Sequence, residues 1–169
     1  MQLIIDGYNL LHVGRSLTRV NSIELQQERD RLIDQLSSYR LLKGCEITVV
    51  FDGWQGGWTA EKRERKKGIE LVFSKLGEKA DEVIKRLAKE KGAGAIVVTS
   101  DREVSRYAER MAVPVIPSDQ FKQKMEWPAV RSEKAAGQDE EEGRGLKRKG
   151  PSRRLSKKER RARGALKKL

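Results

Sequence analysis

The chain has 169 residues and a net charge of +12; this length allows one ordinary domain plus an extension, and excludes two full cores. The single cysteine, Cys45, excludes an intrachain disulfide. No apolar run approaches the ~18 residues of a membrane-spanning helix, and the amino terminus does not have the pattern of a secretory leader. We therefore predict a cytoplasmic protein without a membrane partner.

The positive charge is concentrated at the carboxyl end. Residues 131–169 contain 15 Lys and Arg against 6 Asp and Glu, and no Val, Ile, Met, Phe, Trp, Tyr or Cys. Such a segment buries too little apolar surface to offset the entropy cost of ordering its backbone. We predict a folded domain at 1–127, followed at 128–169 by a flexible linker and a basic arm. The arm favours RNA or the ribosome as partner over an anionic membrane; the alternative is a disordered tail that only aids solubility.

Strands and helices alternate through the first 126 residues. Short apolar runs predict five buried strands, which begin near Leu3, Glu46, Ile69, Ala95 and Val113. Helical spacing predicts helices at 23–39, 78–90, 102–111 and 120–126. Asn21 or Ser22 is the expected N-cap of the first helix, with Gly44 beyond its end, and Ser118-Asp119 is expected to cap the last one. This alternation requires right-handed crossovers and predicts an α/β fold with a mostly parallel sheet and helices on both faces. Pro114 assigns the fifth strand to an edge of the sheet, because proline cannot donate to a ladder.

Aspartates mark the ends of three predicted strands. Asp6, Asp52 and Asp101 each follow an apolar run, and Asp81 stands in the first turn of a predicted helix. Parallel strands bring their carboxyl ends to one edge, where open α/β sheets bind ligands, so we expect the four carboxylates to converge. Each acid also has an ordinary interpretation. Asp-Gly is a preferred turn pair, and aspartate is common at helix N-termini.

Four convergent carboxylates would raise one another's pKa unless a cation compensated them. All the candidate ligands are hard oxygen donors, which selects Mg²⁺ or Mn²⁺ over zinc or copper. A divalent cation in such a site polarises a phosphate and stabilises the leaving oxygen. The acids therefore predict hydrolysis of phosphodiesters.

A stretch rich in tryptophan and cations follows the second strand. Trp54 and Trp58 flank two glycines, and five cations come next: Lys62, Arg63, Arg65, Lys66 and Lys67. We interpret this stretch as a mobile loop that stacks bases and neutralises phosphates. The alternative is a solvated loop with Trp58 tucked against the domain. In the arm, a capping box at Ser156 predicts a short basic helix, and the candidate RNA contacts there are Arg153, Arg154, Lys157, Lys158, Arg160 and Arg161.

Four short motifs, in this order, resemble the YacP-like branch of the NYN, PIN-like nucleases. They are Ile5-Asp6-Gly7-Tyr8-Asn9, Phe51-Asp52-Gly53, Ala80-Asp81-Glu82 and Thr99-Ser100-Asp101. The resemblance covers residues 1 to about 127. It implies a three-layer PIN-like fold and a metal-dependent endoribonuclease that acts on RNA, with single-stranded mRNA in turnover or on the ribosome as the expected substrate.

The resemblance also implies the roles of individual residues. Asp6, Asp81 and Asp101 match the metal-binding positions most directly, around one or two Mg²⁺ (or Mn²⁺) ions. Asp52 is expected to bind metal or orient water, and Asn9 to hold the scissile phosphate or a water at the metal. Two further residues are expected to support the ligands: Ser100 and Glu82. The alternative function is a non-catalytic RNA- or ribosome-binding protein on the same fold.

Overall fold

The structure, a computed structural model, describes residues 1–14, 21–53 and 58–134 together with Gly164. Its strands are β1 (Gln2–Asp6), β2 (Glu46–Phe51), β3 (Lys62–Lys66), β4 (Ile69–Phe73), β5 (Ala95–Val98) and β6 (Val115–Ile116). Its helices are α1 (Gly7–His12), α2 (Ser22–Lys43), α3 (Ala80–Lys91), α4 (Arg102–Arg110) and α5 (Ser118–Lys134), with a 3₁₀ turn at Gly92–Gly94.

The strands form one sheet in the order β3-β4-β2-β1-β5-β6. All neighbouring pairs are parallel except β3 and β4. In register, Asp6 lies opposite Val50, and Val50 lies opposite Val72. The carboxyl ends of the parallel strands therefore meet at one edge, which we call the carboxyl edge.

Both faces of the sheet are covered by helices, because its central strands are apolar on both sides. Leu3 and Ile5 face the layer formed by α1, α2 and α5, whereas Ile4 faces α3 and α4. All three side chains are fully buried. The predicted three-layer α/β fold, PIN-like with a mostly parallel sheet, is confirmed.

The start and stop signals of α2 are also confirmed. The Asn21 side chain accepts a hydrogen bond from Glu24 N, and the Glu24 carboxylate accepts one from Asn21 N. Gly44 ends the helix in the left-handed conformation that glycine adopts without a steric cost. These caps fix the two ends of the long helix that packs against β2 and β4 on one face of the sheet.

Two segments differ from their predicted conformations. The sequence predicts a loop after the first strand, but Gly7–His12 is a short helix capped by the Asp6 side chain. Lys62–Lys66, predicted within a mobile loop, is an edge strand antiparallel to β4. Lys67 and Gly68 close the hairpin with positive φ angles of 50° and 80°. A strand of charged residues protects a sheet edge from pairing with other chains, and it has no apolar alternation that reveals it.

The last two elements refine the predicted carboxyl end of the domain. β6 is the outermost strand, as the position of Pro114 indicated, and Pro114 O accepts a hydrogen bond from Val97 N. Helix α5 continues to Lys134 rather than ending at Glu126. The division of the chain at residue 127 remains a prediction. No helix in the described ranges is long and apolar enough to cross a membrane.

Candidate active site at the carboxyl edge

The structure brings the four predicted aspartates to the carboxyl edge. Asp6 is the last residue of β1, Asp52 directly follows β2, and Asp101 lies between β5 and α4. Asp81 is the second residue of α3, whose first turn reaches the same edge because Ala80 N donates a hydrogen bond to Asp52 Oδ1 at 2.6 Å. The four carboxylates thus come from three adjacent strand ends and one helix start.

The charges of these carboxylates act on one another. Burial raises the pKa of Asp6 to about 6, and the negative charges of Asp81 and Asp52 contribute to the increase. Burial also raises the pKa of Asp81, with further contributions from Asp101 and Asp52. Like charges raise one another's pKa in this way when they lie near each other. The acids therefore form one electrostatic cluster.

The Thr99 hydroxyl links two members of this cluster. Thr99 Oγ1 donates to Asp6 Oδ2 at 3.1 Å and accepts from Asp101 N at 3.0 Å. The other Asp6 oxygen accepts from Asn9 N at 3.0 Å. Thr99 is 1% exposed, so water cannot replace these bonds. Thr99 belongs to one of the four sequence motifs, but the sequence contained no signal for this role.

We expect Thr99→Val to raise the pKa of Asp6 further, because the variant loses a donor to the ionised carboxylate. The valine also leaves Asp101 N without its partner, at a cost of ~1–3 kcal/mol in unfolding free energy. Carboxyl-carbon NMR titration and chemical denaturation measure the two effects. Thr48→Val is the matched control, because Thr48 is a buried hydroxyl bonded to Gln2 and Glu70 instead. An Asp6 pKa that moved equally in both variants would contradict the link.

Asp52 and Asp101 each support the start of a helix. Asp101 Oδ1 accepts from Glu103 N at 2.7 Å and from Val104 N at 2.9 Å, so its predicted capping role is correct. Asp52 satisfies Ala80 N at the start of α3, where Lys79 provides no side-chain cap. Within the described ranges, each of the two aspartates uses only one carboxylate oxygen in these bonds. Helix capping therefore does not preclude a second role at the other oxygen.

The glycines after Asp6 and Asp52 are required by close packing rather than by a turn. A Cβ on Gly7 would lie 2.3 Å from the Phe51 ring, and a Cβ on Gly53 would lie 1.7 Å from Ser74 O. Neither glycine has a positive φ angle. The Asp-Gly pairs thus arise because the backbone beyond each acid passes directly against a neighbouring strand.

The amide of Asn9 is held in one orientation. Asn9 Oδ1 accepts from Ser100 N at 3.0 Å and from Ser118 Oγ at 2.8 Å. A backbone N–H can only donate, so the atom that faces Ser100 must be the amide oxygen, and the Nδ2 donors point elsewhere. Ser100 Oγ accepts from Ser118 N at 3.0 Å. Ser118, predicted only as a helix cap, is a supporting residue that sequence reasoning missed.

Glu82 lies on the rim of the cluster. Its carboxylate is paired with Lys85 Nζ at 2.8 Å, and the same Nζ donates to Glu103 at 2.5 Å. The positive charge of Lys85 counteracts the rise in the pKa of Asp81. Lys85 therefore joins α3 to α4 beside the acids, a role for which the sequence contained no distinctive signal.

Of the predicted RNA-binding cations of the hairpin, Lys62 lies against the half-buried ring of Trp58. Lys62 Nζ lies 4.6 Å from the centre of the Trp58 ring. Three other cations of the hairpin are paired with acids: Arg63 with Glu61 and Glu70, Lys66 with Asp30, and Lys67 with Asp34. The Arg65 side chain is exposed. The remaining predicted contacts lie outside the described residues: Trp54, Arg153, Arg154, Lys157, Lys158, Arg160 and Arg161.

The donor set fits a hard divalent cation in its chemistry, because four oxygen-donating carboxylates lie at one edge of the sheet. In the part of the chain that the structure describes, however, no three His, Cys, Asp or Glu side chains form a ready-made metal site. Hydrogen bonds from Asn9 and Thr99 hold both oxygens of Asp6. Any cation shared by three of the acids would draw them closer together.

Comparison with known proteins agrees with the sequence motifs and the fold. The model of a family described as the YacP-like NYN domain matches residues 3–168. Over 113 residues the chain is 32% identical to the uncharacterized protein YacP of Bacillus subtilis (strain 168), a match that covers 66% of this chain and 64% of that protein.

Two crystal structures of Rae1 (YacP) from Bacillus subtilis share this fold. One, of a point mutant, has a TM-score of 0.65 and 24% identity, and covers 78% of this chain and 79% of that one. The other has a TM-score of 0.61 and 26% identity, and covers 80% of this chain and 79% of that one. Because the family match extends over nearly the whole sequence, this protein belongs to the YacP-like NYN domain family.

Proposed function

We propose that the protein is a divalent-metal-dependent endoribonuclease that hydrolyses phosphodiester bonds in RNA. The observation that supports this most is the electrostatic cluster of four aspartates at the carboxyl edge, in which Asp6 is 7% exposed and its pKa is raised to about 6. A buried carboxylate beside other negative charges is costly to maintain, which favours a role beyond structure. The nuclease-like NYN fold is consistent with this function.

In this proposal, Asp6, Asp81 and Asp101 hold Mg²⁺ or Mn²⁺. When bound, the cation would supply Lewis-acid polarisation of the phosphate and stabilise developing negative charge. Thr99 keeps Asp6 and Asp101 in a fixed relation through its hydroxyl. Ser118 and the backbone of Ser100 hold the amide of Asn9 in one orientation by donating to its oxygen.

Two residues act on the substrate directly. Asn9 has its amide oxygen engaged, so its Nδ2 donates to a non-bridging oxygen of the scissile phosphate. Asp52 uses Oδ1 to cap α3, and its other oxygen accepts a hydrogen bond from the attacking water and orients it. Glu82, paired with Lys85, has a supporting role on the rim.

Single-stranded RNA is the substrate class we propose, with mRNA in turnover or on the ribosome as its biological setting and the cytoplasm as its location. Lys62, the first residue of β3 and exposed, lies at the carboxyl edge, since it pairs with Phe73 at the end of β4. Phosphate contacts of this kind are independent of sequence.

Cleavage assays with single-stranded and ribosome-bound RNA test the proposal. With Mg²⁺, the protein should cut RNA, and Asp81→Asn or Asp101→Asn should lower the rate at least about a hundredfold, because each removes a carboxylate worth several kcal/mol to the charged transition state. Asp34→Asn, which alters an exposed acid paired with Lys67, should leave the rate unchanged. Full activity in both site variants would refute the mechanism.

The second candidate function is metal-independent RNA or ribosome binding without catalysis. It is favoured by one observation, that no three metal-binding side chains in the described ranges form a ready-made site. If RNA binds equally well in EDTA and is never cut, even on translating ribosomes, this second function is correct.

We also expect deletion of residues 145–169 to weaken RNA binding and to reduce its salt dependence. The deleted segment contains twelve Lys and Arg and one Glu, and each phosphate it neutralises contributes ~0.7 to the log–log salt slope on a single strand. Binding isotherms at several salt concentrations measure the change. Replacement of Arg153, Arg154, Lys157, Lys158, Arg160 and Arg161 by Gln should reproduce it. Equal slopes for the full and truncated chains would contradict a role for the arm.

A further inference from the structure

A cavity of about 150 Å³ opens beside the acid cluster, between α2 and the β3–β4 hairpin. Its floor is apolar and buried, with Phe51, Phe73 and Ile33 each at most 7% exposed. Its rim is charged and open to solvent, since the Lys62 and Lys66 side chains are 45% and 43% exposed. The volume is below the ~300–1,000 Å³ of sites for drug-sized ligands, so it suits a single small ring system.

The walls of this cavity have the groups that bind nucleotides. The Trp58 ring is edge-on to Phe73, with centroids 5.2 Å apart. The Arg29 guanidinium carbon lies 5.6 Å from the centres of both the Tyr8 and Phe51 rings. Aromatic rings and guanidinium planes are the surfaces on which unpaired bases stack. Lys62 and Lys66 at the rim supply positive charge for a phosphate.

The cavity adjoins the strand end that carries Asp52. Phe51 forms part of its floor and immediately precedes Asp52. Arg29 Nη2 donates to Tyr8 Oη at 2.7 Å, and the negative charge of Asp52 contributes to the raised pKa of Tyr8. The floor strands β2 and β4 lie one and two strand positions from β1, or about 5 and 10 Å from Asp6. A nucleotide in the cavity would therefore adjoin one whose phosphate lies at the acids.

The rim acids do not make the cavity repellent to RNA. Asp30 and Glu64 are paired with Lys66 at 2.7 Å and Lys62 at 3.2 Å. Together with Arg29, the lining has three cations against two acids. Exposed ion pairs of this kind contribute only ~0–1 kcal/mol, so a phosphate can displace one partner at little cost.

We propose that this cavity is a subsite for one nucleotide of single-stranded RNA, with the base stacked on Trp58 and its phosphate held by Lys62. The inference rests on the proposed function, because it assigns the position of the RNA next to the cut. It adds Arg29, which lines the cavity, to the residues that bind substrate. The subsite accepts any base, because stacking does not distinguish bases by their hydrogen-bonding edges.

Nitrogen-15 NMR of the full chain in EDTA tests the subsite with adenosine 5′-monophosphate and ribose 5-phosphate as probes. The nucleotide should shift the indole N–H signal of Trp58, and ribose 5-phosphate, which has no base, should bind at least about tenfold more weakly. Trp58→Leu should weaken nucleotide binding about tenfold, and Lys62→Gln a few-fold. Lys89→Gln removes an exposed cation of α3 that lies eight residues after Asp81, and it should leave the affinity for both probes unchanged.

Equal binding of the two probes, shifts confined to residues away from Trp58, or full affinity in both variants would overturn the subsite. Trp58→Leu removes packing against Phe73, so Lys62→Gln, on an exposed strand, provides a second variant whose folding is not in question. The binding assay contains no metal and involves no cleavage. Nucleotide binding at Trp58 without any RNA cleavage would refute only the proposed nuclease activity. RNA cleavage without nucleotide binding at Trp58 would refute only the proposed subsite.

Discussion

Asp6→Asn should abolish RNA cleavage and yet make the folded protein more stable at neutral pH. Burial raises the pKa of Asp6 to about 6, from 3.8 for an unperturbed aspartate. The ionised carboxylate is therefore less favourable in the folded chain than in the unfolded one. A difference of about 2 in pKa corresponds to on the order of 3 kcal/mol of unfolding free energy at pH 7–8.

The sign of the pH dependence follows from the direction of this change. Below about pH 4 the carboxyl is protonated in both states and imposes no cost. As the pH rises from about 4 to about 6, the unfolded state loses its proton first, so stability falls, and above about 6 the full cost remains. The advantage of Asp6→Asn over the unchanged protein should be largest at pH 7–8 and shrink toward pH 4.

The substitution keeps one local hydrogen bond of residue 6 and reverses the direction of the other. The side-chain oxygen of the introduced asparagine would still accept from Asn9 N, and its NH₂ group can donate to Thr99 Oγ1 once that hydroxyl rotates. Urea unfolding at a series of pH values measures the effect. Asp30→Asn is the control, because the pairing of Asp30 with Lys66 lowers its pKa, so that variant should be neutral or slightly less stable at pH 7. An Asp6→Asn variant less stable than the unchanged protein at pH 8 would show that Asp6 is structural.

Metal binding gives the same variant a second readout. A ligand that binds only the folded state raises stability by mass action. Millimolar Mg²⁺ should therefore raise the melting temperature of the unchanged protein more than that of Asp6→Asn. Cleavage of RNA by the variant should fall at least about a hundredfold. Equal stabilisation of both proteins by Mg²⁺ would show that the binding of Mg²⁺ does not depend on Asp6.

Element order was predictable from the sequence because the central strands are buried on both faces and read as continuous apolar runs. The ends of these runs were sufficient to assign Asp6, Asp52 and Asp101 to one edge of the sheet. The β3 strand was not predictable, since it is held only by pairing with β4 and its residues are all charged. Pairing partners are set by the tertiary fold and leave no local pattern in such a strand.

The acids of the site were predictable, but the groups that position them were not. Thr99 and Ser118 act through hydrogen bonds to residues 93 and 109 positions away, and an ordinary hydroxyl at a strand end or helix start does not reveal such a partner. Similarly, Asp52 and Asp101 prove to have helix-capping bonds as well as a place in the cluster. The two interpretations of each acid were therefore not exclusive.

Among the described glycines that lack a positive φ angle, Gly53 should be the one whose replacement by alanine lowers stability the most. The added Cβ would lie 1.7 Å from Ser74 O, a backbone atom that cannot rotate away. Ser74 is fixed from both sides, because its N donates to Phe51 O and its Oγ donates to Glu78 O. Overpacking typically costs 1–3 kcal/mol, and we expect about 3 kcal/mol here, or roughly 6–12 °C in melting temperature.

The matched control is Gly94→Ala. Gly94 also lacks a positive φ angle, and its Cβ would meet nothing within 4 Å, so alanine there should be neutral or slightly stabilising through the unfolded state. Relief of the clash at Gly53 moves Asp52, whose Oδ1 accepts from Ala80 N. Hydrogen exchange at the Ala80 amide should therefore accelerate in Gly53→Ala and stay unchanged in Gly94→Ala. Equal stability of the two variants would mean that Gly53 serves turn geometry only, and that the position of Asp52 does not depend on the contact with β4.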